Sequence, residues 1–203
     1  MHVYLLDADT VSNERLAALE ETLPPFRREA AARCRQPEAY AACVLGFCLV
    51  RYAVKAVSPE ADTENWAYNG CGKPHLDASG ALHFNLSHSG RLIAVAVSEN
   101  EVGIDVEQIA PHAAGFAMRY FSEDEQKQVL EASDKASEPT RIWSAKEARV
   151  KWYGNGLSGT LLRDIPTNGV KNTLISHQGE RYWLSTCPVD EIDLTWVNAD
   201  ELY

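Results

Sequence analysis

The chain has 203 residues, 45% of them hydrophobic and 24% charged, with 19 Lys and Arg against 29 Asp and Glu and a formal net charge of −10. That length can bury a sizeable core in one large domain or two small ones. The acid surplus argues against a general nucleic-acid binder, which carries a basic excess, and the opening residues lack the basic and long apolar runs of a signal peptide.

In chain order, Val3 to Leu6 are β-prone and predict a first strand. Ser12 offers an N-cap for an amphipathic helix to about Leu23, stopped by Pro24-Pro25. A second helix is expected from about Phe26 to Arg35, and Pro37 suits the first turn of a longer one reaching about Val57. Within it Val44, Leu45, Cys48 and Leu49 recur at helical spacing. Ala39 to Val50, the longest nearly uncharged stretch, is shorter than a bilayer span and reads as a buried helix. No membrane partner is expected.

Gly70 to Pro74 reads as a turn, followed by strands at Leu82–Leu86, Leu92–Val97 and Val102–Val106. Short connections predict antiparallel pairing among these three. Helices are expected around Ala113–Phe121, Glu123–Ala132 and Thr140–Tyr153, then strands at Val170–His177, Tyr182–Thr186 and Asp193–Val197. Strand, helices, strands thus occurs twice. That order predicts an α+β fold with two similar halves, 1–100 and 101–203, although no sequence repeat joins them.

Five cysteines, odd in number and without a CxxC pair, indicate neither a disulfide framework nor a zinc site. Reduced thiols in a cytoplasmic protein are the expectation. Arg27, Arg28, Arg33 and Arg35, with Arg51 and Lys55 further on, form either a solvated helix face or a patch for an anionic ligand.

Three segments can carry chemistry. In Val102-Gly-Ile-Asp-Val-Glu107 the two carboxylates stand two residues apart, so Asp105 and Glu107 share one strand face and Ile104 and Val106 the other. Paired hard oxygen donors suit Mg²⁺; a solvated acidic edge strand is the alternative. In the helix holding Lys146, Glu147 and Lys151, the last two share a face at i,i+4 and Lys146 points about 100° away. As a surface ion pair Glu147 and Lys151 would contribute only about 0.3–0.5 kcal/mol; as site residues they offer an oxygen ligand and a cation for phosphate. In Phe84-Asn-Leu-Ser-His-Ser-Gly90, neighbouring strand residues face opposite ways and no G-x-S-x-G elbow is present. Ser87 and His88 therefore suit holding an anion better than nucleophilic attack. Walker A and G-x-G-x-x-G patterns are absent.

Taken in order, Gly72-Lys-Pro, Phe84 to Gly90, Val102 to Glu107, Phe121-Ser-Glu-Asp-Glu125 and Trp143 to Leu157 resemble the motif series of the Sfp-type 4′-phosphopantetheinyl transferases. A looser likeness includes Leu45-Gly46 and Leu49-Val-Arg51. The resemblance implies a pseudo-dimer of two α+β halves in one chain with the active site between them, and a monomer. It implies transfer of phosphopantetheine from coenzyme A to a serine of an apo acyl or peptidyl carrier protein. It assigns Mg²⁺ to Asp105, Glu107 and Glu147, and coenzyme A phosphates to Lys73, Ser87, His88 and Lys151. Glu147, with Lys151 and Asp105, becomes the catalytic set, and Glu125 either a supporting residue or a solvated one. Where many relatives carry a His-Arg pair for the 3′-phosphate, this chain has Ala41-Ala42; either Arg33 and Arg35 substitute or that pocket is weaker. The competing readings are another Mg²⁺-dependent phosphotransferase or hydrolase, and a carrier-binding module without catalysis.

Overall fold

A computed structural model describes residues 1–77, 82–112, 115–156 and 162–203. The expected helix start at Ala113 and the motif end at Leu157 lie outside them. The first strand forms as β1 (His2–Asp7). Ser12 then caps α1 (Asn13–Glu21), its side chain accepting from the Arg15 amide. Pro25 opens α2 (Pro25–Ala32), which stops three residues short of the expected Arg35. Pro37 opens α3 (Pro37–Val57), whose bounds match the expectation.

Two short strands follow that the sequence reading missed, β2 (Trp66–Tyr68) and β3 (Pro74–Leu76), paired as a two-stranded ribbon. Next come β4 (His83–Ser89), β5 (Leu92–Ser98) and β6 (Gly103–Gln108). The helices α4 (Phe116–Tyr120), α5 (Glu123–Glu131) and α6 (Ser137–Tyr153) precede β7 (Lys171–His177), β8 (Glu180–Cys187) and β9 (Asp193–Trp196).

The chain divides into two compact units, and the expected boundaries need two corrections. One unit comprises Met1–Ala67, Pro74–Glu101 and Glu191–Tyr203; the other comprises Tyr68–Lys73 and Val102–Asp190. The last strand returns to the first unit because β9 pairs parallel with β1, His2 opposite Asp193 and Leu5 opposite Trp196. Residues 68–73 join the second because Lys73 Nζ donates to the carbonyls of Val102 (3.1 Å) and Trp152 (3.4 Å). Asn69 Nδ2 also donates to the Gly154 carbonyl at 2.8 Å, and Lys73 and Asn69 thereby satisfy carbonyls at the end of α6.

The first unit is a sheet in the order β4-β5-β1-β9. Against it lies α3, whose buried face (Val44, Leu45, Phe47, Cys48, Leu49 and Val50) is almost purely apolar. Among the described residues, α3 alone is long and apolar enough to cross a bilayer; its packing on α1, α2, β1, β4 and β5 accounts for the same residues here. Two of the arginines grouped in the sequence serve this packing. Arg51 is buried and donates to the carbonyls of Tyr203 (2.9 Å) and Thr22 (3.1 Å), and Arg27 lies over the rings of Phe47 and Trp66.

The second unit is the antiparallel sheet β6-β8-β7, with Asp105 opposite Ser185. The expected pairing of β6 with β5 does not occur; β6 opens the second sheet instead. Here α6 covers β6 and β8, and Gly103 sets how closely. A Cβ at Gly103 would stand 2.5 Å from the Trp152 nitrogen and overlap the Ala148 carbonyl oxygen. Only glycine lets the helix backbone come this near.

Candidate active site

On β6, Gly103, Asp105 and Glu107 share one face, and Gly103 shows that this face meets α6. The spacing of the two elements matches. Two strand residues rise about 6.7 Å and four helical residues about 6 Å, so a strand stripe at every second residue can run beside a helix stripe at every fourth. The helix stripe is Trp143, Glu147 and Lys151. Trp143 Nε1 donates to Glu107 Oε1 at 3.2 Å. Lys151 Nζ pairs with Asp105 Oδ1 at 2.7 Å, with Asp105 only 3% exposed.

Glu147 lies in the same electrostatic neighbourhood. Burial raises its carboxyl pKa above the usual carboxylate range, Lys151 draws it back down, and Asp105 adds a smaller rise. Glu147 and Lys151 thus lie on the same side of α6, the side that meets Asp105. β6 is an edge strand of its sheet, but Asp105 is buried and Glu107 half-buried rather than solvated. Ile104 and Val106, on the other face, are also buried.

Lys146, on the same helix, turns away and is fully buried. It forms an ion pair with Glu125 Oε2 at 2.8 Å and donates to the carbonyls of Leu162 (2.9 Å) and Ile165 (2.8 Å). Glu125 is itself 6% exposed, so the solvated alternative does not hold. It also closes a capping box, accepting from the Ser122 amide at 2.8 Å while the Ser122 hydroxyl accepts from its own amide. The S-x-x-E spacing of Ser122 and Glu125 signals this box in the sequence; the partner Lys146 carries no such local signal.

The remaining candidates lie elsewhere. In the first unit, β4 buries Ser87 and exposes His88, as strand alternation requires. His88 lines a cavity of about 350 Å³ together with Ala41, Ala42 and Leu45 of α3. The fully charged residues on its wall are Asp9 and Glu38; neither Arg33 nor Arg35 lines it. Both arginines are exposed, Arg33 as the C-cap of α2 and Arg35 just before α3. Lys73 is held in the second unit at the end of α6, as described above.

Among the described residues, no three His, Cys, Asp or Glu side chains are gathered as a ready metal cage. The donor chemistry nevertheless fits a hard divalent cation: Asp105 adds to the rise in the Glu147 pKa, and hard oxygen donors set together in this way suit such an ion beside Lys151.

A strand carrying two carboxylates lies against a helix carrying a third and a lysine, a donor set suited to phosphate chemistry. The comparisons name its class. Residues 101–191 match the model of the 4′-phosphopantetheinyl transferase superfamily. The 4′-phosphopantetheinyl transferase psf-1 of Bacillus pumilus is 32% identical over 165 residues, covering 78% of this chain and 71% of that protein. The 4′-phosphopantetheinyl transferase AcpT of Escherichia coli O157:H7 is 32% identical over 188 residues, covering 87% and 91%. The 4′-phosphopantetheinyl transferase Sfp of Bacillus subtilis strain 168 is 32% identical over 150 residues, covering 72% of this chain and 65% of that protein. The chain belongs to the 4′-phosphopantetheinyl transferase superfamily.

Proposed function

We propose that the protein transfers the 4′-phosphopantetheine group of coenzyme A to a serine of an apo carrier protein, with the chemistry on the face where α6 meets β6. The observation that carries this reading is the stripe itself: Asp105 paired with Lys151, Glu147 beside them, and Glu107 held by Trp143.

The serine oxygen attacks the β-phosphorus, a new P–O bond forms, the bond to the bridging oxygen breaks, and 3′,5′-ADP leaves. Asp105, Glu107 and Glu147 are the residues that would hold Mg²⁺, which supplies charge neutralisation on the pyrophosphate. Lys151 is the proposed source of positive charge for the phosphate oxygens, most usefully in the transition state. Glu147 is the proposed acceptor of the serine proton; its raised pKa brings it nearer the range of an effective general base. Ser87, His88 and Lys73 are proposed contacts for coenzyme A phosphates. Arg33 and Arg35 are the proposed cations for the 3′-phosphate, a cytoplasmic setting suits the free thiols, and a monomer suits two units in one chain.

The test incubates the protein with coenzyme A, Mg²⁺ and a panel of apo carrier proteins and weighs the products. A carrier gain of about 340 Da, one phosphopantetheine, is expected. Coenzyme A breakdown without that gain would favour a hydrolase, and no reaction with any carrier would favour a binding module.

A further inference from the structure

Glu107 stands one residue before the end of β6 and is half-buried, whereas Asp105 two residues earlier is enclosed. The last torsion of a glutamate turns in a broad, two-fold well, so an outside group must hold its carboxylate to one plane. Two indoles stand near. Trp183 is opposite Glu107 in the β6–β8 ladder, and paired residues leave the same face of a sheet. Its N–H, however, goes to Ser137 Oγ at 3.0 Å. Trp143 of α6 gives its N–H to Glu107 Oε1 at 3.2 Å.

Packing decides where that N–H points. The Trp143 ring meets Phe116 edge-on at 5.3 Å and 63°, and Tyr120 at 5.6 Å and 61°, both from α4. Phe116 is itself stacked on His112 and edge-on to the buried Phe121. An indole nitrogen donates and cannot accept. A ring fixed in this way therefore presents one donor in one direction.

We propose that Trp143 is a positioning residue for Glu107: its indole N–H, aimed by the aromatic cluster of α4, orders the carboxylate as an oxygen donor for a divalent cation. The proposal rests on the reading of Asp105, Glu107 and Glu147 as the residues that hold that cation. A neutral donor suits the task. A lysine would order the carboxylate too, but its charge would compete with the incoming ion, whereas the indole orients Glu107 and leaves its charge intact. Without the N–H, Glu107 has to be ordered when the ion binds, and that cost weakens the binding. Trp143 acts here only through Glu107.

The experiment titrates Mn²⁺, a hard divalent ion with an EPR signal, into the full chain at saturating coenzyme A, with coenzyme A alone as background. Trp143→Phe keeps a ring against Phe116 and Tyr120 and removes the N–H. It should weaken Mn²⁺ binding about tenfold, with the far-UV circular dichroism of the parent. Glu107→Gln should weaken it at least as much. Adding Trp143→Phe to Glu107→Gln should change it by less than about twofold, because the N–H then has no carboxylate to order. A tryptophan with only a structural role would weaken binding equally in both backgrounds, and that result overturns the proposal. So does parent affinity in Trp143→Phe where Glu107→Gln has lost it; the cation reading then survives alone. Parent affinity in Glu107→Gln removes the cation reading of Glu107 itself, and the proposal with it. Should Trp143→Phe unfold, 3-benzothienylalanine at position 143 keeps the two-ring shape, replaces the N–H by sulfur, and is read in the same way.

Discussion

The two long helices face the same task and solve it with different chemistry. Each lies across the sheet of its own unit. α3 does so with a nearly unbroken apolar face, and the polar group it buries, Arg51, is tied to backbone carbonyls. α6 buries Thr140, Ser144 and Lys146 and sets Glu147 and Lys151 against the carboxylates of β6. An apolar helix face needs only volume and period. A polar one needs a partner for every charge: Lys146 finds Glu125 and Lys151 finds Asp105, as Arg51 of α3 also finds Glu64. The first helix packs mainly through apolar volume, the second through apolar volume and buried charge pairs together.

The comparison breaks most severely at Gly103. Gly103→Ala should cost more than about 4 kcal/mol, because the added Cβ meets helix backbone, which has no rotamer to move away. Urea unfolding of the variant measures this, and transfer should be lost with the stripe.

Next in size is the buried pair. Lys146→Met leaves Glu125 buried without its cation and should cost about 3–5 kcal/mol. Adding Glu125→Gln keeps the capping acceptor, removes the orphaned charge, and should recover about 2 kcal/mol or more. Leu49→Ala in α3 should cost a similar 2–5 kcal/mol, roughly, by leaving a cavity, and no charge-removing second substitution has a reason to rescue it. Urea midpoints at constant slope separate the two behaviours. Rescue of neither would mean that α6 is packed like α3.

A smaller effect sharpens the contrast. His112 accepts or donates one hydrogen bond, with Thr140 at 2.9 Å, and stacks on Phe116. Burial lowers its pKa, so the unfolded chain takes the proton first. Stability is complete above the unfolded value of about 6.5 and falls as pH drops below it. His112→Gln should flatten that part of the curve, read as Tm between about pH 7 and pH 5.

Much of this was legible in the sequence. α3 could be bounded closely because Pro37 fixes its start and its apolar period has no competing signal. The common face of Asp105 and Glu107 follows from strand alternation, and that of Glu147 and Lys151 from helical spacing. What those rules cannot give is the partner. The return of β9 to β1 is a pairing between the two ends of the chain, and β6 leaves β5 for β8 although β5 is nearer in sequence. Both choices rest on non-local contacts that no window of residues contains. Helical spacing turns Lys146 away from Glu147, as the structure has it, but its burial against Glu125 depends on how α5 meets α6. The β2–β3 ribbon escaped notice because three-residue strands carry too little alternation to detect.

The central claim is that the α6–β6 face performs the transfer. Its most direct test is the rate of phosphopantetheine mass gain on an apo carrier by Asp105→Ala, at saturating coenzyme A and Mg²⁺, in a variant whose circular dichroism matches the parent. Loss of the residue that Lys151 pairs with should lower that rate by about a hundredfold or more. A folded Asp105→Ala protein that modifies the carrier at near the parent rate would contradict the account.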